Sequence, residues 1–202
     1  KCIQSIIKQD HHNIELSIID DGSEDGSVAK IQEMVPVCQE RFIRFEFRSR
    51  PNKGVSTTLN EAIDWAVGDY ISFIASDDLL HNKKIALLMN KFEQLDDTYA
   101  AIFGDASFID SDGQAVYLNK YTGMVEINNE NSTNSFLEYF TQKRNVQYKK
   151  PHIFGHYPSL LEGNYLPAMG AIIKTKYIRS PNNFTSGVTI EDWDMWLKLS
   201  QN

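Results

Sequence analysis

Paired acids in this chain fall where turns follow apolar runs. Asp20-Asp21-Gly22-Ser23 closes the run Glu15 to Ile19, and Ser76-Asp77-Asp78 closes the run Tyr70 to Ala75. Adjacent carboxylates repel each other and need a cation, a ligand proton or solvent to offset that. One or two carboxylates, completed by phosphate oxygens and water, form the ligand set that Mg²⁺ or Mn²⁺ prefers. A carboxylate at a strand end also accepts hydrogen bonds from a nucleobase N–H or a ribose hydroxyl. A third cluster is Asn52-Lys53-Gly54, with Asn60 beyond it. A glycine at positive φ there lets a ligand approach the backbone closely. The fourth is Glu191-Asp192, beside Trp193 and Trp196. A carboxylate held there by a rigid helix is placed to act as a general base. Each cluster also has a plainer reading. Asp, Asn, Ser and Gly make turns and cap helices. Acids favour the first turn of a helix, and tryptophans three apart favour a core.

The elements that must position these groups alternate. Ile3, Ile6 and Ile7 give Lys1 to Gln9 a helical period. Glu15 to Ile19 reads as a buried strand. Ser27 to Gln39 reads as a helix that Pro36 should kink or end. Arg41 to Phe47 reads as a strand and Ser56 to Val67 as a helix with Gly68 as its C-cap. Tyr70 to Ala75 reads as a buried strand, Lys83 to Leu95 as a helix and Ala100 to Phe103 as a strand. Ser111-Asp112-Gly113 has hairpin-turn chemistry. Ser135 to Lys143 reads as a helix, and the stretch from Gln147 to Gly163 has no clear period. Ala168 to Ile173 reads as a strand, Thr175 to Ile178 as a helical turn and Glu191 to Ser200 as a helix. Strands alternating with helices imply an α/β fold whose sheet is covered on both faces. Ligands bind such sheets beyond the carboxyl ends of the strands, so the acids after Ile19 and after Ala75 should share one edge.

Composition narrows the classes. The chain has 202 residues with 42% hydrophobic and 23% charged, enough to bury a core without staples. Its formal charge of −7 excludes a general nucleic-acid binder, which needs a basic face. A nucleotide enzyme is compatible with that charge, because a divalent cation can supply the positive field. Two cysteines, Cys2 and Cys38, fit a reducing compartment and a cytoplasmic setting. No apolar run approaches a membrane span of about 20 residues. His11 and His12 follow the first helical run, and His81 reads as capping a turn. His152 and His156 are four apart, but Pro151 and Gly155 oppose a helix that would align them as zinc ligands. The motifs of phosphate-cradling and dinucleotide-binding loops are absent.

The order of the clusters is more telling than any one of them. The run Glu15 to Ser27, then Asn52 and Gly54 with Asn60, then Gly68 to Asp78, then Glu191-Asp192-Trp193 closely resembles the family-2 glycosyltransferases. These are inverting enzymes with the GT-A fold, a Rossmann-like, mostly parallel mixed sheet flanked by helices. The resemblance implies a single GT-A domain over 1–202, with 1–105 binding the nucleotide and 106–202 the acceptor. It implies Asp21 on the uracil of a UDP-sugar and Asn52 and Gly54 in the loop beside the nucleotide. Asp77 and Asp78 would hold Mn²⁺ or Mg²⁺ on the diphosphate, Asp78 most directly. Glu191 and Asp192 would lie near the acceptor, with Asp192 as base. The segment Gly163 to Ile173 would line the acceptor side. The implied partners are a nucleotide-sugar donor and a saccharide or lipid-linked saccharide acceptor, with no nucleic acid. The family's commonest setting is the synthesis of bacterial surface polysaccharides.

Two departures bear on these expectations. The family's first strand is central in its sheet and is not in this sequence, which starts at Lys1 inside a helical run. The natural protein is therefore expected to be longer, and membrane association at the inner face of the cell membrane would reside in segments outside 1–202. The family also often has Asp where Ala75 stands, which bears on metal affinity. A rival reading is a non-catalytic GT-A-like module that holds a sugar nucleotide or a glycan. A receiver or phosphatase fold fits less well, since neither has its expected Asp arrangement here.

Overall fold

A computed structural model describes residues 1–146, 150, 152–179, 181 and 183–201. Gln147 and Pro151, used in the sequence reading, lie outside the described residues. In chain order the elements begin with helix α1 (Cys2–Ile7), strand β1 (Glu15–Asp20), α2 (Ser27–Arg41) and β2 (Arg44–Ser49). Then come α3 (Val55–Trp65), β3 (Tyr70–Ile71), α4 (Lys84–Phe92) and β4 (Ala101–Phe103). A small sheet follows, of β5 (Tyr117–Asn119), β6 (Val125–Glu126) and β7 (Ser132–Thr133). The chain continues through α5 (Phe136–Lys143), α6 (Tyr157–Leu160), β8 (Ala171–Lys174), α7 (Thr175–Ile178) and α8 (Glu191–Ser200).

The architecture is mixed α/β, as expected. β1 and β2 form a parallel ladder, with Asp20 opposite Ser49 at its end. β8 is antiparallel to β3 on one side and to β4 on the other, so β3 and β4 run in the same direction. β8 is the buried centre of this sheet, its four residues 9% exposed or less. The main core gathers Ile63, Ile71, Tyr165, Ile173, Met195 and Trp196 around it. A second core of Ile6, Cys38 and Phe42 packs α1 and α2 against Leu16 and Ile74. Among the described residues no ladder joins β1–β2 to β3–β8–β4.

Several elements differ from their expected form. The run Tyr70 to Ala75 is a strand only at Tyr70 and Ile71, and Ala75 is exposed rather than buried. Beyond Ile71 the ladder to β8 gives way to a side chain: Ser72 Oγ donates to the Ala171 carbonyl at 2.7 Å. β1 is likewise half-buried over most of its length, because only one of its edges is paired. α2 runs on through Pro36 to Arg41. Proline removes the donor for the Gln32 carbonyl, but Gln32 is exposed and water can satisfy it. Cys38 and Phe42, buried against Ile6, hold the far half of that helix in place. Gly68 does not cap α3. The helix ends earlier, at Ala66, whose backbone is extended (φ −64°, ψ 141°).

Candidate active site

Two of the sequence clusters form one structure. The β1–β2 register sets Asp20 beside Ser49, whose hydroxyl donates to the Asp20 carboxylate at 2.9 Å. Bonds from Ser23, opposed by burial, and from Ser49 hold the Asp20 carboxyl below its ordinary value. One residue further on, Asp21 meets the loop after β2. Its Oδ1 accepts the backbone N–H of Lys53 at 2.9 Å and its Oδ2 that of Gly54 at 3.0 Å. Arg50 adds a charged hydrogen bond to Oδ1. Burial raises the Asp21 carboxyl, and these bonds from Lys53 and Arg50 outweigh it, so the group sits below its ordinary range. Asn52 Oδ1 accepts the same Gly54 N–H at 3.0 Å. Gly54 has φ +88°, and Gly22, at φ +91°, packs so closely that a Cβ there would lie 2.8 Å from the Asn52 nitrogen. Asp21, Asn52 and Gly54 are thus brought together as a latched loop in front of α3.

Arg50 ties this latch to the helix and carried no signal in the sequence reading. It donates to Glu61 Oε2 at 3.0 Å and to Thr58 Oγ1 at 3.0 Å. Lys53 also reaches Glu61, at 3.2 Å. Asn60 lies apart from this loop. Its amide pairs both ways with the Phe184 backbone, at 2.9 Å each way, and so fastens the approach to α8 onto α3.

The second group is Asp77-Asp78, in the turn after β3. Asp77 is exposed and Asp78 half-buried. Burial, then the neighbouring Asp77 charge, raises the Asp78 carboxyl above its ordinary value. Among the described residues neither carboxylate has an ion pair, and no three potential ligands gather around a metal position. A divalent ion held by one or two carboxylates and completed by phosphate oxygens fits such a pair. The turn is braced from beneath by α1. Ser5 Oγ accepts the Leu80 N–H at 3.0 Å. The buried Gln9 donates to the His81 carbonyl at 2.9 Å and accepts the Ile85 N–H at 3.2 Å. His81 itself accepts the Lys83 N–H at 3.3 Å, the turn-capping role expected of it. No hydrogen bond or ion pair among the described residues joins this acidic pair to the Asp21 latch.

The third group stands at the head of α8. Trp193 N–H donates to Asp192 Oδ1 at 2.8 Å and Asn164 Nδ2 to Oδ2 at 2.9 Å. Glu191 has no hydrogen-bond or ion-pair partner among the described residues. Asp194 is structural: Lys198 and Thr185 each bind its Oδ2 at 2.8 Å. Burial raises the Asp194 carboxyl, but these partners more than reverse that. Trp196 is core, edge-on to Phe103 with centroids 4.9 Å apart. Trp193 is half-buried, and its indole N–H donates to the Leu160 carbonyl at 2.8 Å. Two cavities lie elsewhere. One of about 350 Å³ is lined by Gly68, Lys174 and Arg179, the other of about 380 Å³ by Asp97, Tyr177 and Leu199. The first flanks the start of β3 and the end of β8, the second lies at the approach to β4 beside α7 and α8, and neither is lined by Asp77 or Asp78.

Comparison with known proteins bears on the first two groups. Residues 1–162 match the family described as Glycosyl transferase family 2. The match ends short of α8. An uncharacterised glycosyltransferase of Haemophilus influenzae is 32% identical over 116 residues, 57% of this chain and 44% of the relative. One from Rickettsia felis is 35% identical over 94 residues, 46% of this chain and 15% of the relative. A chondroitin synthase of Escherichia coli is 29% identical over 116 residues, 57% of this chain and 16% of the relative. The chain therefore spans less than half the length of each of these three proteins.

Proposed function

The chain belongs to glycosyl transferase family 2, with a GT-A-like fold, and we propose that it moves a sugar from a UDP-sugar to a saccharide or lipid-linked saccharide hydroxyl with inversion. The observation that carries this reading is the Asp77-Asp78 pair. It lies within the family match, in the turn that follows β3, with no ion-pair partner among the described residues. Solvent offsets the exposed Asp77, while burial and the Asp77 charge raise the half-buried Asp78 carboxyl, an opposition to ionisation that a bound cation would relieve.

In this reading Asp21 orders the nucleotide loop. Its carboxylate takes the Lys53 and Gly54 N–H groups and Arg50, with Thr58 close enough to lower it further, and a nucleobase N–H would share one of these oxygens. Gly54, free of a side chain, keeps the loop backbone open to the nucleotide. Asp78 and Asp77 would hold Mn²⁺ or Mg²⁺, which supplies Lewis-acid stabilisation of the charge on the departing diphosphate. Asp192 removes the proton of the acceptor hydroxyl. The hydroxyl oxygen bonds to the anomeric carbon as the bond from that carbon to the diphosphate oxygen breaks. Attack from the face opposite the leaving group inverts the centre in one displacement. Each Asp192 oxygen takes one protein hydrogen bond and keeps a lone pair for that proton. Glu191, unpaired beside it, is available to an acceptor hydroxyl.

The setting is proposed as cytoplasmic, at the inner face of the membrane, in bacterial polysaccharide synthesis. No helix among the described residues is long and apolar enough to cross a membrane. A binding module without transfer is the competing function, and the exposed Ala75 beside Asp77 is the feature that favours it. Asp192→Asn separates the two. It should abolish transfer and retain UDP binding. Normal turnover in that variant would remove Asp192 as base. A wild-type protein that binds UDP and transfers to no saccharide would support the module.

A further inference from the structure

We propose that Asn164 is a positioning residue for Asp192, fixing the carboxylate in the orientation from which it takes the acceptor proton. The inference rests on the reading of Asp192 as base. It comes from a side chain whose two ends have opposite fates. Asn164 Nδ2 donates to Asp192 Oδ2 at 2.9 Å. Its Oδ1 is buried and has no hydrogen-bond partner among the described residues. A buried acceptor without a donor costs stability. An apolar residue of similar size would avoid that cost. The opposite amide orientation would set Oδ1 against the carboxylate and repel it, so the contact to Asp192 selects the orientation that leaves Oδ1 orphaned.

The surroundings show a built mount. The Leu160 carbonyl accepts both the Gly163 N–H at 3.3 Å and the Trp193 indole N–H at 2.8 Å. The residue before Asn164 is thereby tied to the residue after Asp192. Gly163 has φ +141°, and a Cβ there would sit 2.5 Å from Arg144 Nε, so the Arg144 side chain closes over the loop at that point. The loop has little freedom, and the amide it carries points at one carboxylate oxygen while Trp193 N–H holds the other. A general base must sit within hydrogen-bond reach of the proton it abstracts. Two fixed donors, one on each oxygen, hold the Asp192 carboxylate plane and leave it one free lone pair per oxygen with which to do so.

The test compares Asn164→Leu with wild type in steady-state transfer, UDP calorimetry and thermal unfolding. Asn164→Leu should lower kcat on the order of 10- to 100-fold, the scale of a misplaced catalytic group. KM for the donor and the Kd for UDP should stay unchanged. The midpoint of unfolding should hold or rise, because the orphaned acceptor is gone. Asn164→Ala repeats the measurement should leucine not be accommodated. A joint fall in kcat, UDP affinity and unfolding midpoint in both variants would make Asn164 merely structural and overturn the proposal. A kcat within about twofold of wild type would overturn it as well. Asp192→Asn measured alongside keeps the two claims apart: if that variant turns over normally, the base assignment fails first, and if it is dead while Asn164→Leu is normal, only the positioning role fails.

Discussion

Replacing Asp21 by Asn tests the latch with the least change in shape. The carboxylate accepts Lys53 N–H and Arg50 on one oxygen and Gly54 N–H on the other. An amide can offer only one oxygen. Turned toward Lys53, it sets its NH₂ against the Gly54 N–H. Turned toward Gly54, it sets its NH₂ against Lys53 N–H and Arg50. Either way a donor loses its acceptor, at about 1–3 kcal/mol. Gly54 N–H keeps Asn52 Oδ1 at 3.0 Å, which favours the first orientation and the lower end of that range. In a chain of this length 1 kcal/mol moves the midpoint by about 2–4 °C, so a fall of about 2–12 °C is expected at pH 7. The sign with pH follows from the lowered Asp21 carboxyl. A folded-state value below the ordinary 3.8 stabilises the fold above that pH and is lost as pH falls through the folded value. The gap between variant and wild type should therefore be constant from about pH 5 to 8 and close in stronger acid. Thermal unfolding across that range is the assay, with hydrogen exchange at Lys53 and Gly54 as a local readout. A midpoint within about 1 °C of wild type at pH 7, with unchanged exchange at those amides, would refute the latch.

Other outcomes follow from single contacts. Gly170→Ala should be among the most damaging small changes, because its Cβ would lie 2.3 Å from the Gly104 carbonyl oxygen. Overpacking of this kind costs about 1–3 kcal/mol or more, whereas Gly26→Ala, with open space around it, meets no clash and loses only the glycine preference at the N-cap of α2, a smaller effect. Asp78→Asn should raise the unfolding midpoint at pH 7. Burial and the Asp77 charge raise that carboxyl in the folded protein, so ionising it opposes folding above the ordinary carboxylate range. The gain should fade as pH falls and the proton returns, and a loss of midpoint at pH 7 would contradict the uncompensated pair. Asp192→Asn should leave transfer undetectable with UDP affinity intact, as measured by product formation and calorimetry.

Periodicity made the helices legible. The bounds of α8 coincide with the expected Glu191 to Ser200, and α3 and α5 shift by only a residue or two. Turn chemistry was legible too. Asp110 to Gln114 closes the hairpin expected at Ser111-Asp112-Gly113, with Gly113 at φ +89°. β3 was over-read because an apolar run reveals hydrophobicity and not whether a neighbour is present to pair with it. The site residues were found as separate turns, and local spacing could not show that Asp21 and Gly54 are one object. That union depends on the β1–β2 register. Arg50, Gln9 and Asn164 stayed hidden for the same reason. Their partners lie 29, 72 and 28 residues away, and no local period encodes such contacts. Asn60, on the helix after the Asn52–Gly54 loop, groups with that cluster in sequence, yet its partner is the backbone at Phe184, 124 residues on.

If Asp77 and Asp78 hold a cation on the diphosphate of the donor, nucleotide binding must depend on both the metal and these carboxylates. The most direct measurement is calorimetric titration of UDP with Mn²⁺, then with chelator, into the wild-type protein and into Asp78→Ala. UDP should bind with Mn²⁺, more weakly with chelator, and not at all to the variant. Equal UDP affinity in all these conditions, or no binding in any of them, would contradict that dependence.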